Sequence, residues 1–497
     1  MQRKQLTLVI VSLLVVVLSV SLAYFTAQII GKGKDVSVTS TNLQIVFTDT
    51  DGEIAGSDIE PGWQKTKTFT VQNNSKSEYK YNIVIKDLLN TFVTEGYLQY
   101  KITSTNNGYN MTEFKDIPKS SAPKDTILAY SVVIPNGVTQ SYTIEFKYAN
   151  DESVDQSDDM GKKLSGTLFI TEGTEDPNKT LYNQLLVDKS TKLTRTDFST
   201  VLTTDNTNTL YTSTEDSKTV YYFAGNATDN WVKFGKNASN QDLCWRIIRT
   251  NSDGSIRLLY HGTSTTATDT YIGTSAFNSS NNNIAYVSYM FGSLGSIPNA
   301  RTNQTNPSTI KTTIDNWYTS NLEAKGYTKY LSTTAVYCND RTYTVSEFTN
   351  FGASTRLWSN KTPSYDCSVT EDKFTVDTST GNGKLTYPIA LMTADEVSFA
   401  GGLFANVAPT WYYYNSAKGS STGSTWWWLL SPGVWDGESA HVFYVLGSSS
   451  PGYLSYSRVS NSYGVRPALS LKSCVKYSSG NGSASDPYTI KETTSGC

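Results

Sequence analysis

The sequence predicts a mainly β protein with some α, an N-terminal β-sandwich followed by a C-terminal α+β unit. Three observations predict it. Charged residues are 17% of the 497-residue chain, against about 25% in ordinary soluble domains, and Ser, Thr, Asn and Tyr fill the deficit. The aromatic complement of 33 Tyr, 18 Phe and 10 Trp favours pleated, half-buried surfaces. Apolar residues alternate with period two through the first third of the chain, and helix-period windows are few. The length suggests two to four domains at roughly 150 residues each. With 41 basic and 44 acidic residues the net charge is −3, which excludes the basic footprint of a nucleic-acid partner. The 2 His leave almost no material for His-based catalysis or His-ligated metals.

Arg3 and Lys4 precede an apolar run of 20 residues, Leu6 to Phe25. Such a run can span a bilayer as a helix. It also fits a signal peptide, with small residues around Ser21-Leu22-Ala23. Residues 1–30 are therefore expected to be a signal peptide or a membrane anchor, and the membrane is a partner through residues 6–25 if they are not cleaved. Either reading places the remaining chain outside the cytoplasm. The five cysteines, Cys244, Cys338, Cys367, Cys474 and Cys497, all lie in the second half, and export permits disulfides. Cys338 and Cys367 are spaced as a local pair. Cys474 can join Cys497 or Cys244, and one cysteine is left over. No CxxC or Cys/His spacing points to zinc.

Residues 36–172 carry the sandwich. Leu43, Ile45 and Phe47 alternate with polar neighbours, as do Phe69 and Val71, then Tyr79, Tyr81, Ile83 and Ile85. Asn73-Asn74-Ser75-Lys76 and Pro135-Asn136-Gly137 supply turns. Tyr142, Ile144, Phe146 and Tyr148 continue the series and Leu164 to Ile170 closes it. The acidic stretch Asn150 to Asp159 reads as a loop. The signal end Ala23-Tyr24-Phe25, the strand at Leu43-Gln44-Ile45 and the turn Glu60-Pro61-Gly62-Trp63 leading into Lys67 to Asn73 resemble the TasA/camelysin family of exported Gram-positive proteins. The resemblance spans roughly residues 1–172. It implies a jelly-roll-like sandwich, secretion and, for some members, assembly into extracellular matrix fibres. Some members carry a metallopeptidase label, but no HExxH is present here.

Residues 173–219 are rich in Thr, Asn, Asp and Ser and read as a linker with one short helix near Leu181 to Leu186. A second unit is expected over 220–475, with 476–497 as a tail. Cys244 to Arg249 and Ile256 to Tyr260 flank Asp253-Gly254, a hairpin signal. Asn306-Pro307 can cap a helix whose Ile310, Ile314, Trp317 and Tyr318 share a face. Another helix starts at Thr393-Ala394-Asp395-Glu396. Trp245-Arg246-Ile247-Ile248, Met392 to Val397, Trp427-Trp428-Leu429-Leu430-Ser431-Pro432-Gly433 and Tyr463 to Leu471 resemble an uncharacterised Firmicutes surface domain. That domain is similar to the C-type-lectin-like fold shared with formylglycine-generating enzymes and retroelement-diversified variable proteins. The resemblance implies paired first and last strands, which would bring Cys244 near Cys474. It also implies an arginine where Leu430 stands, so an ion pair would be missing. Formylglycine-generating chemistry needs a cysteine pair near the groove, and the Trp427 to Pro467 block holds none.

Gly419-Ser420-Ser421-Thr422-Gly423 matches G-x-S-x-G, followed by Asp436 and His441. The nucleophile elbow needs a strand before the serine and a helix after it. A Ser/Thr/Gly loop before three tryptophans offers neither, so a hydrolase through Ser421 is not expected and the chain is not read as an enzyme. Asp49, Asp51, Glu53 and Glu60 fall at calcium-loop positions, but Ile54 replaces the required glycine. Asp436 and Glu438 are adjacent acidic groups of the kind lectin-type calcium sites use, but no Glu-Pro-Asn or Trp-Asn-Asp pattern accompanies them, so calcium is a weak candidate and no cofactor is expected.

The segment 435–463 is the candidate recognition surface. It offers Trp435, Asp436, Glu438, His441, Tyr444, Tyr453, Tyr456, Arg458 and Asn461 among Gly and Ser. Tyr and Trp give rigid contact area at low entropic cost, and smaller polar residues adapt around them. Phe443 and Val445 are expected to point inward; Trp435, Tyr453 and Tyr456 are expected outside. In the retroelement-diversified relatives this region is the variable binding face. The expectation is a cell-surface or secreted protein whose lectin-like head binds an extracellular glycan or protein. The alternative is a self-assembling matrix fibre subunit with no discrete ligand.

Overall fold

The computed structural model describes residues 36–40, 43–49, 54–56 and 59–497, except 112, 175, 268–269, 344–348, 407–425 and 447–451; side chains are described from residue 59 on. The apolar run 6–25, Ser421 and its glycines, and Asp51 and Glu53 of the acidic stretch lie outside the described residues. Among the described residues no helix is long and apolar enough to cross a membrane. The chain is mainly β with some α. It divides into two units, 1–177 and 178–497.

The first unit is two sheets around one core. Its strands are β1 (Val36–Ser40), β2 (Leu43–Asp49), β3 (Ile54–Gly56), β4 (Gln64–Asn73), β5 (Tyr79–Asn90), β6 (Leu98–Ser104), β7 (Lys115–Asp116), β8 (Ser120–Ile134), β9 (Thr139–Tyr148) and β10 (Leu164–Glu172). One sheet runs β1-β2-β4-β9-β6-β7 and the other β3-β10-β5-β8. Period-two alternation sends Phe69 and Val71 of β4, and Tyr142, Ile144, Phe146 and Tyr148 of β9, into the core against Tyr81, Ile83 and Ile85 of β5. Phe69 and Tyr142, neighbours in register, stack at 4.6 Å. The turn after β4 is fixed by Asn73: its Nδ2 donates to the carbonyls of Ser77 and Ile134, both at 2.9 Å. The acidic loop after β9 ends on Asp159, which accepts from the Val93 N–H at 2.6 Å and the Tyr148 hydroxyl at 2.8 Å.

The segment 173–219 departs from a linker beyond Pro177. Thr180 caps the helix Leu181–Asp188, accepting from Asn183 N–H. Leu181, Leu185 and Leu210 are buried in the main core of the second unit. Strand Thr209–Glu215 pairs antiparallel with Lys218–Tyr222. Polar composition suggested a linker because the three leucines are sparse, yet each is spaced to bury. The expected tail 476–497 is likewise folded. Tyr477–Ser479 and Tyr488–Ile490 pair with each other, and Tyr488–Ile490 runs parallel to Trp231–Lys236.

The expected hairpin forms: Asp242–Thr250 pairs antiparallel with Ile256–Tyr260, and Gly254 turns it at φ +77°, a conformation glycine adopts without steric cost. The last strand of the resemblance, Pro467–Leu471, pairs with Ile256–Tyr260 and with Ile389–Leu391. Ile256–Tyr260 therefore lies between it and the Cys244 strand, whose other neighbours are Trp231–Lys236 and, at Arg249, Lys218–Tyr222. That interposed strand corrects the Cys244–Cys474 expectation. The disulfides are Cys338–Cys367 and Cys474–Cys497. Cys244 is a free buried thiol, with its pKa pushed up to about 11 by burial.

Helix Thr309–Tyr318 buries Ile310, Ile314 and Tyr318, and its cap is Ser308. Asn306-Pro307 instead pairs with Met290-Phe291. Thr393 and Glu396 form the expected capping box of helix Ala394–Phe399. Glu396 is also the buried partner of Arg249 and Arg257, at 2.9 and 3.0 Å, and Arg249 reaches Glu215 at 2.8 Å. Leu430 is fully buried. The ion pairs of this region lie on neighbouring elements, while Leu430 packs in the core and its carbonyl accepts from Asn339 Nδ2 at 2.8 Å.

Candidate functional site

The expected recognition segment is an antiparallel meander of Trp427–Trp435, Ala440–Val445 and Tyr453–Arg458, with Ser462–Gly464 beside it. Successive strand residues face opposite sides, so register decides which of the nine candidates can meet. His441 pairs with Arg458, Phe443 with Tyr456 and Tyr444 with Ser455. His441, Tyr456 and Arg458 therefore share one face. Tyr444 and Tyr453 fall on the other.

At one end of the first face Trp358, Phe404 and Tyr456 form a three-ring cluster, the Trp358 and Tyr456 rings themselves 6.4 Å apart at 44°. Trp358 lies 5.1 Å from Phe404 at 23°. Phe404 lies 5.9 Å from Tyr456 at 24°. His441 meets the Tyr456 ring edge-on at 5.8 Å. Trp358 is 49% exposed, supported from behind by rings that are not. Gly433 makes room for Tyr456: a Cβ there would lie 2.7 Å from the Tyr456 Cβ. Trp358 sits on the wide helical turn Thr355–Asn360. Its neighbour Leu357 is buried. Arg356, one residue further back, donates Nε and Nη2 to the two Asp395 oxygens, both at 2.9 Å, and Nη1 to Asp340 at 2.6 Å. A bidentate guanidinium–carboxylate pair fixes direction as well as distance, so this turn is held rigidly. The neighbouring cavity, lined by Arg249, Arg257, Arg356 and Asp395, measures about 20 Å³, room for one water. The ion cluster is thus part of the framework.

Asp436 and Glu438 lie in the turn between the first two strands. Asp436 Oδ1 accepts the N–H of Glu438 at 3.0 Å and of Ser439 at 2.6 Å. Burial works to raise the Asp436 carboxyl, but these two N–H groups, with His441 and Arg458, outweigh it and hold the group below its ordinary value. His441 Nε2 stands 3.8 Å from Asp436 Oδ2. Burial lowers the His441 pKa and Asp436 only partly offsets it, so the imidazole is neutral at pH 7. Glu438 is exposed. Among the described residues no three His, Cys, Asp or Glu side chains gather as metal ligands, so Asp436 and Glu438 have no third acidic partner for calcium.

The second face is packing. Tyr444 is 8% exposed, stacked on Trp426 at 5.1 Å and edge-on to Trp428 at 6.4 Å. Tyr463 lies 4.7 Å from Trp428. Tyr444 is therefore corrected from a ligand contact to a core residue: three indole and phenol rings enclose it. Tyr453 is half-buried on this side. Asn461 is exposed, and its Nδ2 donates to Ser457 Oγ at 2.9 Å, ordering the loop before Ser462. Trp435 is half-buried against the core. Phe443 and Val445, which share the first face with His441 and Tyr456 by register, are buried as expected. Trp358 and Phe404 were not among the candidates. They come from segments far away in the chain, and an isolated Trp in Arg356-Leu357-Trp358-Ser359 carries no periodic signal.

A family model described as a domain of unknown function (DUF6273) matches residues 364–473. That segment contains the Thr393 capping box and the whole meander. No curated protein matches the chain. Among solved structures, the crystal structure of a ruminal GH26 endo-beta-1,4-mannanase is similar at 15% identity, with a TM-score of 0.15. The match covers 28% of each chain, so the chain spans about a quarter of that enzyme's length.

Proposed function

We propose that this is an exported cell-surface protein whose C-terminal lectin-like unit recognises an extracellular glycan or protein, carried on an N-terminal TasA-like sandwich. The observation that carries the reading is the gathering of His441, Tyr456 and Arg458 on one sheet face, with Asp436 in the adjoining turn 3.8 Å from His441 and an exposed indole, Trp358, against Tyr456. Large aromatic side chains pre-ordered beside charged groups bind at low entropic cost. The apolar run 6–25 and the two disulfides support export. The reading assigns no catalytic step.

The test is binding of purified protein beginning at Tyr24 to a glycan and cell-surface panel, with and without EDTA. A discrete ligand whose binding is lost with Tyr456→Ala supports the reading, and EDTA sensitivity would bring calcium back at Asp436. Sedimentable fibres with no ligand bound would instead move the function to the sandwich.

A further inference from the structure

Resting on that reading, we propose that the ligand is a neutral saccharide, with one sugar ring stacked on the free face of Trp358 and its hydroxyls met by Asp436 and Arg458. The exposed indole is linked to polar groups through Tyr456, whose ring lies 6.4 Å from Trp358 and 5.8 Å from His441, with Asp436 3.8 Å from His441 and Arg458 paired across from it. A sugar ring has the complementary make-up, an apolar C–H face and a hydroxyl rim.

The indole is pre-positioned. Phe404 and Tyr456 back it within a stack, and Arg356 clamps its turn to Asp395 and Asp340. Asp436 keeps acceptor capacity: Oδ1 is engaged by two backbone N–H groups, while Oδ2 has His441 at 3.8 Å, beyond hydrogen-bond range. A carboxylate oxygen can take two hydroxyl donors. Arg458 is exposed and lies across from His441, in position to donate. Asp436 and Glu438 place two carboxylates in the turn that would meet the hydroxyls, and like charge there disfavours a sulfated or uronic group in that position.

The experiment titrates the full chain beginning at Tyr24 with gluco-, galacto-, manno- and N-acetylglucosamine oligosaccharides, and with a sulfated glycan as the charged control. Wild type, Trp358→Ala, Trp358→Phe and Asp436→Asn are compared, each with its urea midpoint. The expected result is saturable binding of a neutral oligosaccharide, weakened about tenfold or more by Trp358→Ala. Trp358→Phe should retain much of it, and the urea midpoints should show every variant fully folded under the titration conditions. Neutral-sugar binding that survives Trp358→Ala overturns the stacking assignment while leaving recognition by this unit standing. A protein or sulfated ligand that binds through Trp358, with no neutral sugar bound, overturns the saccharide class alone. No ligand of any kind in the wild type overturns both.

Discussion

The two faces of the 427–458 meander are made of the same kinds of residue and do opposite things. On one, Trp426, Trp428, Tyr444 and Tyr463 close on one another, and Tyr444 keeps 8% of its surface. On the other, Trp427, Phe443, Val445 and Leu454 are buried as well, and only where Trp358, Phe404 and Tyr456 meet does the packing stop at solvent, with Asp436, His441 and Arg458 beside it. Aromatic content therefore finds the segment but does not assign its roles. Register assigns them, because a step of one residue along a strand changes the side of the sheet.

The comparison breaks most directly on the packed face. Trp428→Ala should cost about 3–5 kcal/mol, the usual range for a buried aromatic, and Tyr444→Ala should follow it. Urea unfolding read by tryptophan emission measures this, since nine of the ten Trp lie beyond residue 178. A cost under about 1 kcal/mol for Trp428→Ala would mean that face is open.

The clamp under Trp358 comes next. Arg356→Met leaves Asp340 and Asp395 facing each other without their cation. Arg356 and Asp395 are 23% and 5% exposed, so the loss should be about 2 kcal/mol, below the fully buried case. Asp395→Asn should be milder, because an amide still accepts. Equal stability of Arg356→Met and wild type would remove the reason for a fixed indole.

The two histidines extend the same contrast. His261 is buried beside Trp231 at 4.4 Å, and burial, then Arg246 and Arg466, hold its pKa well below 6.5. His441 on the open face is lowered too. A lowered folded pKa means that the unfolded chain takes the proton first. Stability should therefore fall as pH drops below 6.5 towards the folded values, by up to about 1.4 kcal/mol per pH unit for each group. Unfolding midpoints between pH 7.5 and 5.5 should show this slope, and His261→Leu should flatten it more than His441→Leu. A slope unchanged in both variants would contradict the placement of the histidines.

The smallest stability effect belongs to the site. Trp358→Ala should cost about 1 kcal/mol, the worth of its ring contacts with Phe404 and Tyr456, while reducing binding. Gly433→Ala should reduce binding as well, by displacing Tyr456 from its seat.

Much of the fold was legible from local rules. Alternation placed Phe69, Tyr142 and Ile144 in the sandwich, Asp253-Gly254 marked its hairpin, and Thr393 with Glu396 marked its helix start. Cys338 and Cys367 paired as their spacing suggested. What failed was non-local. Leu181, Leu185 and Leu210 sit in a polar stretch whose burial depends on a core formed by later residues. The tail is tied down by a strand near residue 231 and by Cys474. Cys244 stays reduced because an interposed strand keeps it away. At the site, five of the expected residues, Asp436, Glu438, His441, Tyr456 and Arg458, share the open face or its rim, and Trp358 joins them only through the tertiary fold.

The most direct measurement is a paired titration of Trp358→Ala and Tyr444→Ala with the oligosaccharide panel, each beside its urea midpoint. Trp358→Ala should lose binding while staying folded with a cost of about 1 kcal/mol, and Tyr444→Ala should lower the midpoint much further. The opposite pattern, binding lost in a fully stable Tyr444→Ala and kept in Trp358→Ala, would place recognition on the other face of the sheet.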